Sequence, residues 1–305
     1  MGGSFTVAAV QASYVLMNRE ATTSKVEELV RAAADQGARL IVFPEVFVPG
    51  TPIWIDSVPI WDGDEAWFAQ LVDQAVVVPG PTTERIGAAA KDAGAYVVIG
   101  VDEREPHGTT IFNTLLYFGP DGSLVGRHRK LMPTGSERTV WGMGDGSTLN
   151  VVATELGRVG GLICWENYMP LARFSLYESG VEIYIASTAD DSDAWQATLV
   201  HIARESRAFV VAPCHFQRAS SYPEDFPLRD ELEGSDIIGR GGSAILGPDG
   251  AYLAGPLYDR EGILYAELDP TRLAEERQRF DPAGHYHRPD VFSLSVSPQL
   301  SQRAL

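Results

Sequence analysis

Short apolar runs rich in β-branched residues alternate along the chain with segments in which apolar residues return every three or four positions. The first pattern reads as buried strands, the second as amphipathic helices. "FTVAAVQA" (5–12) predicts a strand. "ATTSKVEELVRAAADQG" (21–37) predicts a helix, with Thr22 to Ser24 as cap candidates and Gly37 as its stop. "ARLIVFPE" (38–45) predicts a second strand, ended by Pro44. A helix closing at Gly94 and a strand "AYVVIGV" follow. Further on, "GRVGGLICW", "VEIYIAST", "FVVAPCHF" and "GILYAELD" read as strands, and "MPLARFSLYESG" and "AWQATLVHIARESRA" as helices. Such alternation predicts a layered α/β fold.

"LLYFGPDGSLVGR" (115–127) is echoed by "SAILGPDGAYLAG" (243–255). Each reads as strand, Gly-Pro-Asp-Gly turn, strand, so two hairpins are predicted. Two stretches lack periodicity: Val48 to Asp64, rich in Pro and Trp, and Ser220 to Gly239, acidic with two prolines. Both read as loops over sheet ends, where sites gather. No Pro/Gly linker divides the chain, which favours one domain over 1–305 with a short tail from about residue 290.

Charge and cysteine content narrow the partners. With 24 basic and 41 acidic residues, the net charge is −17, which repels phosphate backbones and argues against nucleic acid as a partner. No apolar run approaches a membrane span, and the N-terminus lacks the pattern of a signal peptide. Two cysteines, Cys164 and Cys214, make no disulfide framework and fit a reducing cytoplasm.

Three stations could carry chemistry. Glu45 follows a strand in "IVFPE"; Lys130 follows one in "GRHRKLMPTGSERTVWGMGDGS", with Glu137 beyond a turn; Cys164 sits in "LICWEN". Ligands of α/β sheets gather at such strand ends. A carboxylate can take a thiol's proton, and an ammonium with the N–H after Cys164 can hold the charge that develops. Cys164 also stands at the start of the predicted helix 169–179, whose positive end it would feel, in a turn resembling a nucleophile elbow without its G-x-S-x-G signature. Taken singly, each residue has a plainer reading: Cys164 a buried strand-end thiol, Glu45 a loop carboxylate or cap, Lys130 part of a solvated basic edge, Glu137 a partner of Arg138. A Cys–His pair using His201 or His215 is the other thiol arrangement. "HYH" is weak as a metal site, and "GRGGSA" leads into a strand, not the helix a dinucleotide motif needs.

Taken together, "FPE", "HRKLMPT…ER..WG.GDGS", "CWENYMPL", "HIA" and "GHYHRPDVF" resemble the nitrilase branch of the carbon–nitrogen hydrolase superfamily, over roughly residues 5 to 295. The resemblance implies a four-layer αββα sandwich, with Glu45 as base, Lys130 as charge stabiliser, Cys164 as nucleophile and Glu137 as an auxiliary carboxylate. It implies hydrolysis of a small-molecule nitrile by water without metal or organic cofactor, in a homodimer that grows in some members into spirals or filaments. An amidase or carbamoyl hydrolase with the same triad is the alternative; a non-catalytic filament-forming or metabolite-binding relative is a third reading, against which unusual reactivity of Cys164 compared with Cys214 at near-neutral pH would favour the enzyme. Expected pocket walls are Trp54, Trp165, Thr188 and Ala189. Cys214 and His215 depart from the family's usual small or amide residues.

Overall fold

The computed structural model describes residues 3–58, 60–61, 63–224, 226 and 236–298. Period-2 patterning splits each central strand between two cores. In β1 (Phe5–Gln11), Val7 and Ala9 enter one core and Ala8 and Val10 another. In β2 (Ala38–Val42), Leu40 and Val42 face one way and Ile41 the other. Strands covered on both faces are apolar throughout, which is why these runs look continuous.

With β3 (Val76–Val77), β4 (Tyr96–Arg104), β5 (Ile111–Phe118), β6 (Leu124–Arg129) and β14 (Gly262–Leu268), they form a first sheet, ordered β14-β1-β2-β4-β5-β6 with β3 beside β4. β1, β2 and β4 are parallel neighbours; β5 and β6 return antiparallel, so β6 again runs with β4. The second sheet holds β7 (Val152–Thr154), β8 (Gly157–Gly161), β9 (Ile183–Ile185), β10 (Phe209–Ala212), β11 (Phe216–Arg218), β12 (Ile237–Leu246) and β13 (Tyr252–Tyr258). Its order is β11-β12-β10-β9-β8-β7, with β13 beside β12 and β8, β9 and β10 parallel.

The apolar stripes of α1 (Arg19–Asp35), α2 (Glu65–Gln74) and α3 (Pro81–Ala93) pack on the outer face of the first sheet through Val26, Val30, Leu71 and Ile86. Those of α4 (Pro170–Glu178) and α5 (Asp193–Ser206) cover the second through Leu176, Trp195, Leu199 and Ile202. Between the sheets lies a third core, with Val42, Val98 and Leu115 from one side and Val159, Ile185 and Val211 from the other. The layers are therefore helix, sheet, sheet, helix, as the resemblance implied. α6 (Thr271–Arg279) follows β14.

Several boundaries differ from expectation. α1 starts two residues early, because the Asn18 side chain accepts the Ala21 N–H; Thr23 instead bonds the Arg19 carbonyl inside the helix. "FVVAPCHF" breaks into β10 and β11 at Pro213, which has no N–H for a ladder. Both hairpins form. The loop 48–64, of which 59 and 62 lie outside the described residues, contains a 3₁₀ turn, Ile53–Asp56. Of the loop 220–239, residues 225 and 227–235 lie outside them, and Ile237 to Gly239 belong to β12. Among the described residues no helix is long and apolar enough to cross a membrane.

Candidate active site

The C-terminal ends of β2, β6 and β8 converge where the two sheets meet, and each delivers one reactive group. Beyond β2 the chain turns sharply against β4: Gly100 N–H donates to the Pro44 carbonyl at 3.1 Å, and Val48 N–H to the Gly100 carbonyl at 3.3 Å. A Cβ at Gly100 would stand 2.4 Å from Pro44 O, so glycine is what lets the Glu45 turn lie this close. Glu45 is buried, and both its oxygens are held. Oε1 accepts Asn113 Nδ2 at 2.7 Å and Lys130 Nζ at 2.9 Å; Oε2 accepts the Ala189 N–H at 3.0 Å.

Alternation along β6 explains the "RHRK" cluster. Arg127 and Arg129 both reach Glu103 on one face, while His128 and Lys130 turn inward and are buried. Lys130 Nζ bridges two carboxylates, Glu45 at 2.9 Å and Glu137 at 2.7 Å. Glu137 is itself fixed by the Thr134 N–H at 2.6 Å.

Cys164 takes φ of +50°, a left-handed conformation that non-glycine residues rarely adopt. It opens a 3₁₀ turn, Cys164–Tyr168, and α4 begins only at Pro170. The expected proximity to that helix's N-terminus is thus corrected, and the elbow likeness holds in geometry alone. The Cys164 N–H is engaged by the Ser187 carbonyl at 2.9 Å, which leaves the N–H of Trp165, next along the turn, as the one the sequence reading pointed to. The Thr188 hydroxyl donates to Cys164 Sγ at 3.2 Å.

Burial and the neighbouring Glu45 charge push the Cys164 thiol up to about 12, against the pull of Lys130, Thr188 and Ala189. Both effects favour the protonated thiol, so near-neutral labelling loses the diagnostic value expected of it. Burial disfavours the Lys130 charge, but the Glu45 and Glu137 carboxylates outweigh it and raise the pKa, which favours the ammonium. Burial and Glu45 raise Glu137 above the usual carboxylate value.

The arrangement brings Glu45, Lys130, Glu137 and Cys164 together, and Thr188 and Ala189 with them. These last two touch the reactive groups themselves rather than standing as distant walls. Trp165 is half exposed, its indole N–H on Asp190 at 2.8 Å and its ring edge-on to Tyr168. Trp54, by contrast, is fully buried in the helix-side core against Trp67, so its expected place as a pocket wall is corrected to packing. His201 lies on α5 beside Glu205, and His215 is wedged between Tyr14 and Phe47; neither bonds Cys164, so a Cys–His pair is not formed. Cys214 is buried, and burial and nearby acids raise its thiol well above the ordinary range. No cluster of metal-binding side chains occurs among the described residues.

Three supports went unnoticed in the sequence: Asn113, His128 and Glu166. Glu166 is fully buried and accepts the N–H groups of Ile163 and Leu131 at 2.9 and 2.7 Å, with His128 Nε2 at 2.9 Å. It ties the cysteine turn to the chain just past Lys130. The two-residue spacing of His128 and Lys130 was the signal, since it sets both on one face.

Residues 6–278 match the Carbon-nitrogen hydrolase family. The chain belongs to the carbon–nitrogen hydrolase family. Among its relatives, an aliphatic nitrilase of Sinorhizobium fredii is 46% identical over 97% of this chain and 96% of its own. Nitrilase 1 of Arabidopsis thaliana is 41% identical over 95% of this chain and 86% of its own, and sets this carbon–nitrogen hydrolase in the nitrilase branch together with the first. A carbon–nitrogen hydrolase structure from Helicobacter pylori superposes with a TM-score of 0.77 at 22% identity, covering 94% of this chain and 96% of its own, and shares the fold.

Proposed function

We propose that this carbon–nitrogen hydrolase converts an organic nitrile to the carboxylic acid and ammonia. The observation that carries the reading is the buried Glu45 carboxylate, held by Lys130, Asn113 and the Ala189 N–H beside the buried Cys164 thiol. Sulfur bonds to the nitrile carbon as Glu45 takes its proton, which passes to the nitrile nitrogen to give a thioimidate. Water then adds to the same carbon, losing a proton to Glu45. Lys130 and the Trp165 N–H hold the charge on the tetrahedral centre. Nitrogen leaves as ammonia with the proton Glu45 returns, a thioester remains, and a second water releases the acid and restores the thiol. Glu137 keeps Lys130 in place. Relatives named as nitrilases support nitrile over amide as substrate.

The test is ammonia release from a panel of nitriles, each paired with its amide, on wild type and Cys164→Ala. Turnover of nitriles, spared amides and a dead variant are expected. Turnover of amides alone would replace the reading with an amidase or carbamoyl hydrolase; silence on both would favour a binding protein. A second reading adds some amide product, formed if the tetrahedral centre expels sulfur instead of ammonia. A Nicotiana tabacum relative, 43% identical, is named a bifunctional nitrilase/nitrile hydratase and favours it.

Three further readings belong to this proposal. One domain spans 1–305, supported by the continuous core between the sheets. Chains pair as homodimers, with spirals or filaments as larger forms; an apolar groove of about 380 Å³ lined by Leu171, Phe174, Tyr286 and Phe292 supports an interface there. The cytoplasm is the setting, supported by two unpaired cysteines.

A further inference from the structure

Asp102 is an acid with no cation. It lies in β4, wholly buried, and its backbone N–H is tied to the Val48 carbonyl at 2.9 Å just beyond the Glu45 turn. Its Oδ1 accepts the Trp141 indole N–H at 2.6 Å, and its Oδ2 has no partner among the described residues. The ring of Trp141 faces the Lys130 ammonium, 5.6 Å from Nζ to the ring centroid. The same tryptophan is anchored by its own N–H on the Glu137 carbonyl at 2.8 Å.

The charges around the site do not leave room for another. Glu45 and Glu137 already share the single buried ammonium of Lys130. An ionised Asp102 would be a third carboxylate in a buried site, with no lysine or arginine of its own among the described residues. Burial, together with the nearby charges of Glu45 and Glu137, lifts its pKa well above the usual range, against the pull of the Trp141 hydrogen bond.

We propose that Asp102 is a positioning residue for nitrile hydrolysis, an uncharged acceptor that fixes the Trp141 ring against Lys130. Two of the three ammonium hydrogens are committed to Glu45 and Glu137. The third must point at the charge forming on the substrate, and the π face of Trp141 limits where the ammonium can swing. Asp102 acts on the reaction only through that ring. This rests on the nitrile-hydrolysis reading above.

Three variants test it: Asp102→Leu, which keeps the bulk and removes the acceptor; Asp102→Asn, which keeps an uncharged acceptor; and Trp141→Phe, which removes the donor and identifies the Trp141 indole signal. In Asp102→Leu, kcat for ammonia release falls about tenfold with KM nearly unchanged, the size expected for one desolvated contact to the ammonium. Asp102→Asn rescues most of that loss and leaves the pH profile of kcat where it was. The Trp141 indole N–H cross-peak stays protected from exchange in wild type and Asp102→Asn, and loses protection in Asp102→Leu. An Asp102→Asn enzyme as slow as Asp102→Leu would overturn the proposal by showing that charge is what the site uses. Wild-type kcat in Asp102→Leu would overturn it by showing that the ring needs no fixing. Should the wild type release ammonia from no nitrile, the functional reading fails by itself, and retained protection in Asp102→Leu would still refute the Asp102–Trp141 link.

Discussion

Thr188→Val removes one oxygen at the reacting sulfur and little else, because valine has nearly the shape of threonine. The lost hydroxyl donates to Cys164 Sγ at 3.2 Å and accepts the Asp190 N–H at 2.8 Å. While the sulfur is a neutral thiol that donor does little. As the thiol gives up its proton to Glu45, charge builds on sulfur, and a hydrogen bond to a charged acceptor is worth about 1.5–3 kcal/mol. Sulfur is a weak acceptor, so the low end applies, which corresponds to about a tenfold loss in kcat. KM should stay close to wild type, since the interaction grows only as the bond forms. Thr188→Ser separates this from loop damage, because the Ala189 N–H next door also holds Glu45. The assay is steady-state ammonia release at varied nitrile concentration. Serine should recover most of the rate that valine loses. A valine variant at wild-type kcat, or a serine variant as slow as valine, would refute the role given to the hydroxyl.

Other outcomes follow from the same geometry. With Cys214→Ser to isolate the site, iodoacetamide labelling of Cys164 should climb steadily from neutral to alkaline pH, because burial and Glu45 hold the thiol up at about 12; a plateau near neutrality would show a resting thiolate. Burial disfavours both charges of the His128–Glu166 pair, but their attraction outweighs it, raising His128 above 6.5 and lowering Glu166 below 4.5. The histidine's contribution to stability is therefore full below 6.5 and lost as pH rises through its raised pKa, while the carboxylate's is full above 4.5 and lost as pH falls through its lowered one. Thermal midpoints of wild type against His128→Gln should converge as pH rises past that window, and parallel curves would contradict it. At Gly161 an added Cβ would sit 2.1 Å from the Ile185 carbonyl, so Gly161→Ala should destabilise by about 1–3 kcal/mol in urea unfolding.

The α/β fold was legible because continuous apolar runs such as β1 and β2 alternate with amphipathic segments such as α1, whereas the four-layer order came only from the family resemblance. Glu45 and Cys164 were legible because each ends an apolar run beyond a strand, whereas Lys130, last of the basic run Arg127 to Lys130, stood out only through the family resemblance. Their supports were not. Asn113 sits mid-strand in β5 and reads as an ordinary polar position until β6 brings Lys130 beside it. Glu166 looks like surface charge behind a cysteine, and only the tertiary approach of Leu131 gives it work. Trp54 failed in the opposite sense: a tryptophan in an irregular loop suggested an open wall, whereas Trp67 from α2 closes over it. Residues whose role is set by distant neighbours carry no local pattern to find.

The seam between the sheets has a mechanical consequence. Glu45, Asn113 and Lys130 ride on one sheet, and Cys164, Thr188 and Ala189 on the other. Cys164 and Glu45 thus sit on separate bodies, pinned across the gap by Ser187 Oγ on the Phe43 carbonyl at 2.9 Å and by Ala189 on Glu45. Their separation is set by the thickness of the filling between them, the side chains of Val42, Val98, Ile185 and Val211. A methyl group removed from that filling lets the bodies settle or slide, and the reacting atoms move with them. Core volume in this protein is a gauge of catalytic alignment, adjustable from positions that no substrate ever meets.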